Sequence, residues 1–182
     1  MAERILLVGM MGAGKSTAGR LAAKRLGWTW VDVDAEIVRA GGATVPELFA
    51  RHGEAHFRQE ESRVLGTVLD RDEPMVVSVG GGVVLDPVNR ATLRAAGTVV
   101  WLRARPETLT DRVHDGAGRP LLVGDTPQER AQTLRRIEAE RRPLYAEVAD
   151  EIIDVDRLRT DKVAERLLQL VDLDAPGRQV SP

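Results

Sequence analysis

The sequence predicts a three-layer α/β fold, a five-stranded parallel sheet flanked by helices on both faces. Three observations carry this. Short apolar runs alternate with helical stretches along the chain, the pattern of strand–helix–strand units. A glycine-rich loop separates the first strand from the first helix. The third apolar run, Met75 to Val79, is almost unbroken, as a central parallel strand buried on both faces should be.

The elements follow in order. Strand one is expected over 4–8 and helix one over 15–26. Strand two covers 29–33 and ends at Asp32-Val33-Asp34. A short helix then leads to Gly41-Gly42. Pro46 suits the first turn of a helix over 45–51. Gly53 breaks it, and a longer helix runs over 54–70. Strand three, 75–79, ends in Gly80-Gly81-Gly82. Asp86-Pro87 supplies a cap and a first-turn proline for a helix over 87–96. Strand four spans 98–102, and a helix runs from Pro106 to His114. Asp115-Gly116-Ala117-Gly118-Arg119-Pro120 reads as part of a mobile lid over about 115–126. The long helix over 127–148 contains Pro143, which should kink or end it. Strand five covers 151–155 and the last helix 160–171. Residues 1–171 therefore read as one domain. The tail 172–182, with its Pro, Gly, Arg, Gln and Ser, reads as disordered.

Residues Gly9 to Thr17 read G-M-M-G-A-G-K-S-T and follow the apolar run Ile5-Leu6-Leu7-Val8. This is a P-loop in its expected setting. Its glycines let the backbone wrap a phosphate chain with N–H groups pointing inward. Lys15 can reach the β- and γ-phosphates, and the Ser16 hydroxyl can ligate Mg²⁺. The N-terminus of the following helix adds positive potential. A glycine-rich turn with an incidental lysine would not require this strand–loop–helix context. The chain is therefore expected to bind a nucleoside triphosphate, and the question becomes what receives the phosphate.

Ligands in such sheets sit at the carboxyl ends of the strands. That rim gathers the P-loop, Asp32 and Asp34, the triple glycine, and the segment after strand four. At a strand end, residues two apart point to one side, so Asp32 and Asp34 could both face the P-loop. One could hold Mg²⁺ and the other a substrate hydroxyl; the alternative is a pair of solvated loop carboxylates. Phe57-Arg58-Gln59-Glu60-Glu61 places Arg58 and Glu61 on one helix face. They could form a surface ion pair, or Glu61 could fix an arginine aimed at a carboxylate ligand. Three consecutive glycines carry an entropic cost, for which close backbone approach to a ligand is the natural compensation. Arg112 and Arg119 flank the lid, and Arg119 could act on the transferring phosphoryl group; otherwise both are solvent arginines. Arg141, just before Pro143, could be turned toward the cleft.

Composition narrows the classes. The chain has 182 residues and a net charge of −2, which argues against nucleic-acid binding through bulk positive charge. It contains no cysteine, so no disulfide framework or thiolate metal site is available. No apolar run approaches the roughly 20 residues of a membrane span, and Met1 to Arg4 leaves no room for a signal peptide. The cytoplasm is the expected location, with no membrane or nucleic-acid partner. The three histidines, His52, His56 and His114, are too scattered for a convincing metal site.

Taken together, the motifs resemble the shikimate kinase family over about residues 4–170. The resemblance rests on G-x-x-G-x-G-K-S-T, the D-x-D at 32–34, F-R-x-x-E at 57–61, G-G-G at 80–82, R-P-L-L at 119–122 and R-x-P-L-Y at 141–145. Gluconate and nucleotide kinases share the P-loop but not this ordered set. The resemblance implies a P-loop kinase fold with a lid. It implies transfer of the γ-phosphoryl of ATP to the 3-hydroxyl of shikimate, a step of chorismate and aromatic amino-acid biosynthesis, by a monomeric enzyme. Gly12, Ala13, Gly14, Lys15, Ser16 and Thr17 would bind the phosphates. Ser16 would hold Mg²⁺ with Asp32 behind it. Arg112 would lie along the adenine, and Arg119 would come in from the lid. Shikimate would be held by Asp34 through its hydroxyls, by Gly81 and Gly82, and by Arg58 and Arg141 through its carboxylate. Lys15, Asp34 and Arg119 would be the catalytic residues. Leu158 stands where some relatives carry an adenine-loop arginine, with Arg157 and Arg159 on either side.

Overall fold

The computed structural model describes residues 3–113 and 126–174, the side chains of 172–174 excepted. Five parallel strands form one sheet: β1 (Arg4–Val8), β2 (Thr29–Asp32), β3 (Met75–Ser78), β4 (Thr98–Arg103) and β5 (Glu151–Asp154). Their spatial order is β2-β3-β1-β4-β5. The register pairs Leu6 with Val77 and Leu7 with Val100. All five residues of β1 are buried, because the central strand has neighbours on both edges and helices on both faces. Each fully buried leucine there contributes roughly 1.5–3 kcal/mol.

Among the described residues seven α-helices connect and cover the strands: α1 (Lys15–Leu26), α2 (Val33–Gly41), α3 (Val45–Leu69), α4 (Pro87–Ala96), α5 (Pro106–Arg112), α6 (Pro127–Val148) and α7 (Thr160–Asp174). The chain moves from β1 out to β2, then back across β1 from β3 to β4. Right-handed crossovers in opposite directions put their helices on opposite faces. Accordingly α1 packs with α7, and α6 packs with α4 and β4. The reversal leaves a crevice above β1 and β3, where the P-loop and the triple glycine emerge.

Local signals set the helix ends. Thr44 and Glu47 cap α3 reciprocally, the Glu47 carboxylate accepting from the Thr44 N–H at 2.7 Å. Gly53 takes a left-handed φ of 79° inside α3, which supplies the expected break. The His52 and His56 rings lie 4.8 Å apart there. Among the described residues no three His, Cys, Asp or Glu gather as a metal cage.

The structure corrects several boundaries. β2 ends at Asp32, not 33, because the Asp32 carboxylate caps α2 by accepting from the Ala35 N–H at 3.3 Å. Asp34 therefore lies in a helical turn, and the alternation of a strand end does not place it. Pro143 does not end α6, which continues to Val148. Thr126, expected at the end of the lid, caps α6 instead. The rest of that segment, including Arg119, lies outside the described residues, as does His114. α7 continues to Asp174, into the expected tail; 175–182 lie outside the described residues.

Candidate active site

The P-loop turns tightly out of β1. Gly14 caps α1 with a left-handed φ of 90° and no side chain, a conformation that L side chains rarely adopt. The first intrahelical bond runs from Ala18 N–H to the Gly14 carbonyl at 2.9 Å. The N–H groups of Lys15, Ser16 and Thr17 precede it and have no intrahelical acceptor, the arrangement that favours anions. The Lys15 ammonium donates to the carbonyls of Gly9 at 2.8 Å and Met10 at 3.0 Å. The Ser16 hydroxyl donates to the Asp32 carboxylate at 2.5 Å.

These groups line a cleft of about 550 Å³. Gly12 to Thr17, Asp32, Asp34, Gly81 and Arg112 all contribute to its wall. The two aspartates thus face the P-loop together, although one is a helix cap and the other stands in the helix's first turn.

At the other end, charged side chains gather around the triple glycine. Arg58 donates to Glu61 at 2.7 Å and to Glu54 at 3.1 Å. Glu61 is only 1% exposed, so this is not the surface ion pair that spacing alone allowed. Burial pushes the Glu61 carboxyl above the ordinary carboxylate range, against the pull of the Arg58 guanidinium, and the nearby Asp34 adds to the rise. Burial works against charge on Arg58 as well, but the Glu61 and Glu54 carboxylates outweigh it and hold the guanidinium above its usual value. Arg141 is also buried, at 5% exposure.

The glycines have a reason that the sequence did not reveal. None of Gly80, Gly81 or Gly82 has a positive φ. A Cβ on Gly80 would collide with the Glu61 carboxylate and lie 2.9 Å from Asp34; one on Gly82 would collide with the Arg58 guanidinium. The close approach at Gly80 and Gly82 is thus to the chain's own side chains, where a ligand was the expected neighbour. Gly81 has looser neighbours, with Arg141 and Tyr145 both 3.5 Å from its would-be Cβ.

Arg112 stands over the end of the P-loop, donating to the Val155 carbonyl at 2.9 Å and the Gly12 carbonyl at 3.5 Å. Leu158 and Arg159 line the same cleft. Arg157 instead borders a separate depression with Arg103, Arg105 and Arg142. Sequence reasoning left that choice open, since neighbouring residues in a turn carry no periodic signal. It also passed over Glu61 as a site residue in its own right, although the i,i+3 spacing pointed there, and over Tyr145, whose hydroxyl donates to the Gly81 carbonyl at 2.6 Å.

Comparison with known proteins agrees with this geometry. A family model described as shikimate kinase matches residues 11–172. The chain is 48% identical over 153 residues to the shikimate kinase of Aromatoleum aromaticum, spanning 84% of this chain and 85% of that one. It is 41% identical over 180 residues to the shikimate kinase of Bradyrhizobium diazoefficiens, spanning 99% and 84%. Among solved structures, shikimate kinase from Acinetobacter baumannii in complex with shikimate superposes with a TM-score of 0.89 at 37% identity, over 97% of each chain. With a P-loop, an adjoining carboxylate pair and this similarity along nearly the whole sequence, the chain belongs to the shikimate kinase family and is an ATP-dependent kinase.

Proposed function

We propose that the chain transfers the γ-phosphoryl of ATP to the 3-hydroxyl of shikimate, giving shikimate 3-phosphate and ADP. The observation that carries this reading is one continuous cleft whose wall includes both the P-loop and the Asp34–Gly81 end. Two buried or half-buried arginines, Arg58 and Arg141, stand beside that end. Shikimate is a small carboxylate with several hydroxyls, which suits two guanidinium groups and an aspartate.

In this reading the amides of Gly12 to Thr17 and the Lys15 ammonium hold the phosphates. Arg112 and the Leu158–Arg159 turn border the adenine. Arg58 and Arg141 take the acceptor carboxylate, with the backbone of Gly81 and Gly82 beside them. Asp34 orients the 3-hydroxyl. That oxygen forms the new bond to the γ-phosphorus as the bond to the β,γ-bridging oxygen breaks, and its proton passes to Asp34. A strong base is unnecessary when the transition state is loose. Lys15 and Arg119 stabilise charge on the transferring group; the role of Arg119 rests on its place in R-P-L-L.

Mg²⁺ fits the donor set at Ser16 and Asp32, whose side-chain oxygens lie together beside the P-loop. A site with few protein oxygens suits this ion, which keeps water and phosphate oxygens as its remaining ligands. Bound there, it supplies positive charge to the phosphates. The proposal also includes a monomeric, cytoplasmic enzyme acting on small molecules, with neither nucleic acid nor membrane as partner. No helix among the described residues is long and apolar enough to cross a membrane.

Calorimetry on Arg58→Lys and Arg141→Lys tests the acceptor site. Lysine cannot reproduce a bidentate fork, so shikimate affinity should fall by about tenfold or more, a loss of roughly 1.4 kcal/mol. ATP affinity should stay unchanged. Altered ATP affinity with normal shikimate affinity would reverse the assignment of the two ends.

A further inference from the structure

We propose that Tyr145 is a positioning residue, whose phenol anchors the Gly81 carbonyl beside Arg141 and so sets the geometry of the acceptor site. The inference rests on the acceptor reading above. Tyr145 is 1% exposed, and its hydroxyl donates to the Gly81 carbonyl at 2.6 Å. The Arg141 guanidinium stands beside the same spot: its terminal nitrogen and the Tyr145 oxygen each lie 3.5 Å from where a Cβ on Gly81 would sit. Arg141 and Tyr145 are i,i+4 on α6, neighbours on one helix face.

The neighbourhood leaves Arg141 few other anchors. Among the described residues it makes no ion pair within 4 Å, and its buried Nε has no hydrogen-bond partner. Arg58 is different, since Glu54 and Glu61 hold its guanidinium directly. The two arginines thus stand in different surroundings, one held by carboxylates and the other beside a neutral phenol. Burial keeps that phenol protonated, well above the ordinary tyrosine range, so it remains a donor to Gly81 at working pH. A carboxylate at position 145 would neutralise Arg141 and weaken its pull on an anionic acceptor; a neutral phenol leaves that charge available.

Tyr145 also touches the phosphate side. Its oxygen lies 3.7 Å from the Met10 sulfur, in the P-loop, and its ring stands 5.7 Å from Trp101 of β4. One buried side chain thus meets the P-loop, the glycine loop and α6. The short hydrogen bond goes to Gly81, on the acceptor side, and the contact to the Met10 sulfur is long and weak, so loss of the hydroxyl should be felt chiefly at the acceptor.

The test compares Tyr145→Phe with Arg141→Lys in steady-state kinetics with each substrate varied. Tyr145→Phe keeps the ring and removes the hydroxyl that holds the Gly81 carbonyl. KM for shikimate should rise about tenfold, the scale of one or two such bonds, while KM for ATP stays within about twofold. The double variant should bind shikimate little worse than Arg141→Lys alone, because both residues adjoin Gly81 and act on one end of the acceptor. Equal rises in both KM values would mark general loosening and overturn the inference. So would an unchanged shikimate KM in Tyr145→Phe beside a raised one in Arg141→Lys, a result that leaves the acceptor reading intact. An unchanged shikimate KM in Arg141→Lys would overturn the acceptor role of Arg141, and the inference with it. Tyr145 is the only tyrosine of the chain, so 3-fluorotyrosine incorporation places one fluorine beside the site without deleting the hydroxyl. Its resonance should shift on adding shikimate. Should Tyr145→Phe fail to fold, a fluorine signal unmoved by saturating shikimate overturns the inference.

Discussion

Glu61 is buried between Arg58 and the glycine loop, and its charge keeps the arginine in place. Burial has raised its pKa, so it protonates at a pH above the usual carboxylate range. KM for shikimate should therefore rise as pH falls through that value, and Glu61→Gln should remove the step from the KM–pH profile. Stability runs the other way. A carboxyl whose folded pKa exceeds its unfolded one contributes stability that is fully present below the unfolded value, near about 4.3, and lost as pH rises through the folded value. Mild acid should thus raise KM for shikimate while this one group favours folding; a KM that does not change with pH, or a step that survives Glu61→Gln, would contradict the placement of Glu61. Lys15 allows a blunter test. Lys15→Ala should keep the fold and raise the barrier by about 3 kcal/mol, near the effect of deleting one preorganised electrostatic donor. Near-normal turnover by a folded variant would remove the phosphate role. The lysine was legible because its motif is local. The partners of Gly80 and Gly82 were not, since Glu61 and Arg58 reach them from α3, about twenty residues earlier.

At the scale of elements, the sequence marks its own boundaries where capping chemistry is explicit. Asp86 accepts from the Val88 N–H at 2.7 Å, and Pro87 opens α4 as expected. The capping box at Thr44 and Glu47 starts α3, the helix that carries Arg58 and Glu61. Thr44→Ala should destabilise the protein by about 1 kcal/mol in denaturant unfolding and leave both KM values unchanged, because α3 restarts after Gly53 before it reaches the site. A shifted shikimate KM would mean that the first segment of α3 helps to orient the second. The end of β2 was less legible. Asp32 serves as a strand residue, a helix cap and the acceptor of Ser16 at once, and a hydrophobic pattern registers only the first of these. Pro143 misled in the same way. Its missing N–H weakens a helix locally, but Arg141, Tyr145 and Val148 are all buried on the same run, and that packing carries α6 past the proline.

For the molecule as a whole, the strand order accounts for the site. β1 and β3 lie side by side with crossovers on opposite faces, so the P-loop and the glycine loop leave adjacent strands at the same rim. The alternation of apolar runs was enough to predict a parallel sheet, and the carboxyl-end rule was enough to predict which loops meet. It could not predict which arginine of the 157–159 turn faces the cleft, because that depends on the start of α7. The joined cleft implies that the phosphate donor and the acceptor react within one cavity. The most direct test is ADP release with ATP and Mg²⁺ in the presence of shikimate, gluconate or no acceptor, with the phosphorylated product identified by ³¹P NMR. Shikimate alone should accelerate ADP release, with one equivalent of shikimate 3-phosphate formed per ADP. Equal stimulation by gluconate, or tight ATP binding that no acceptor accelerates, would contradict it.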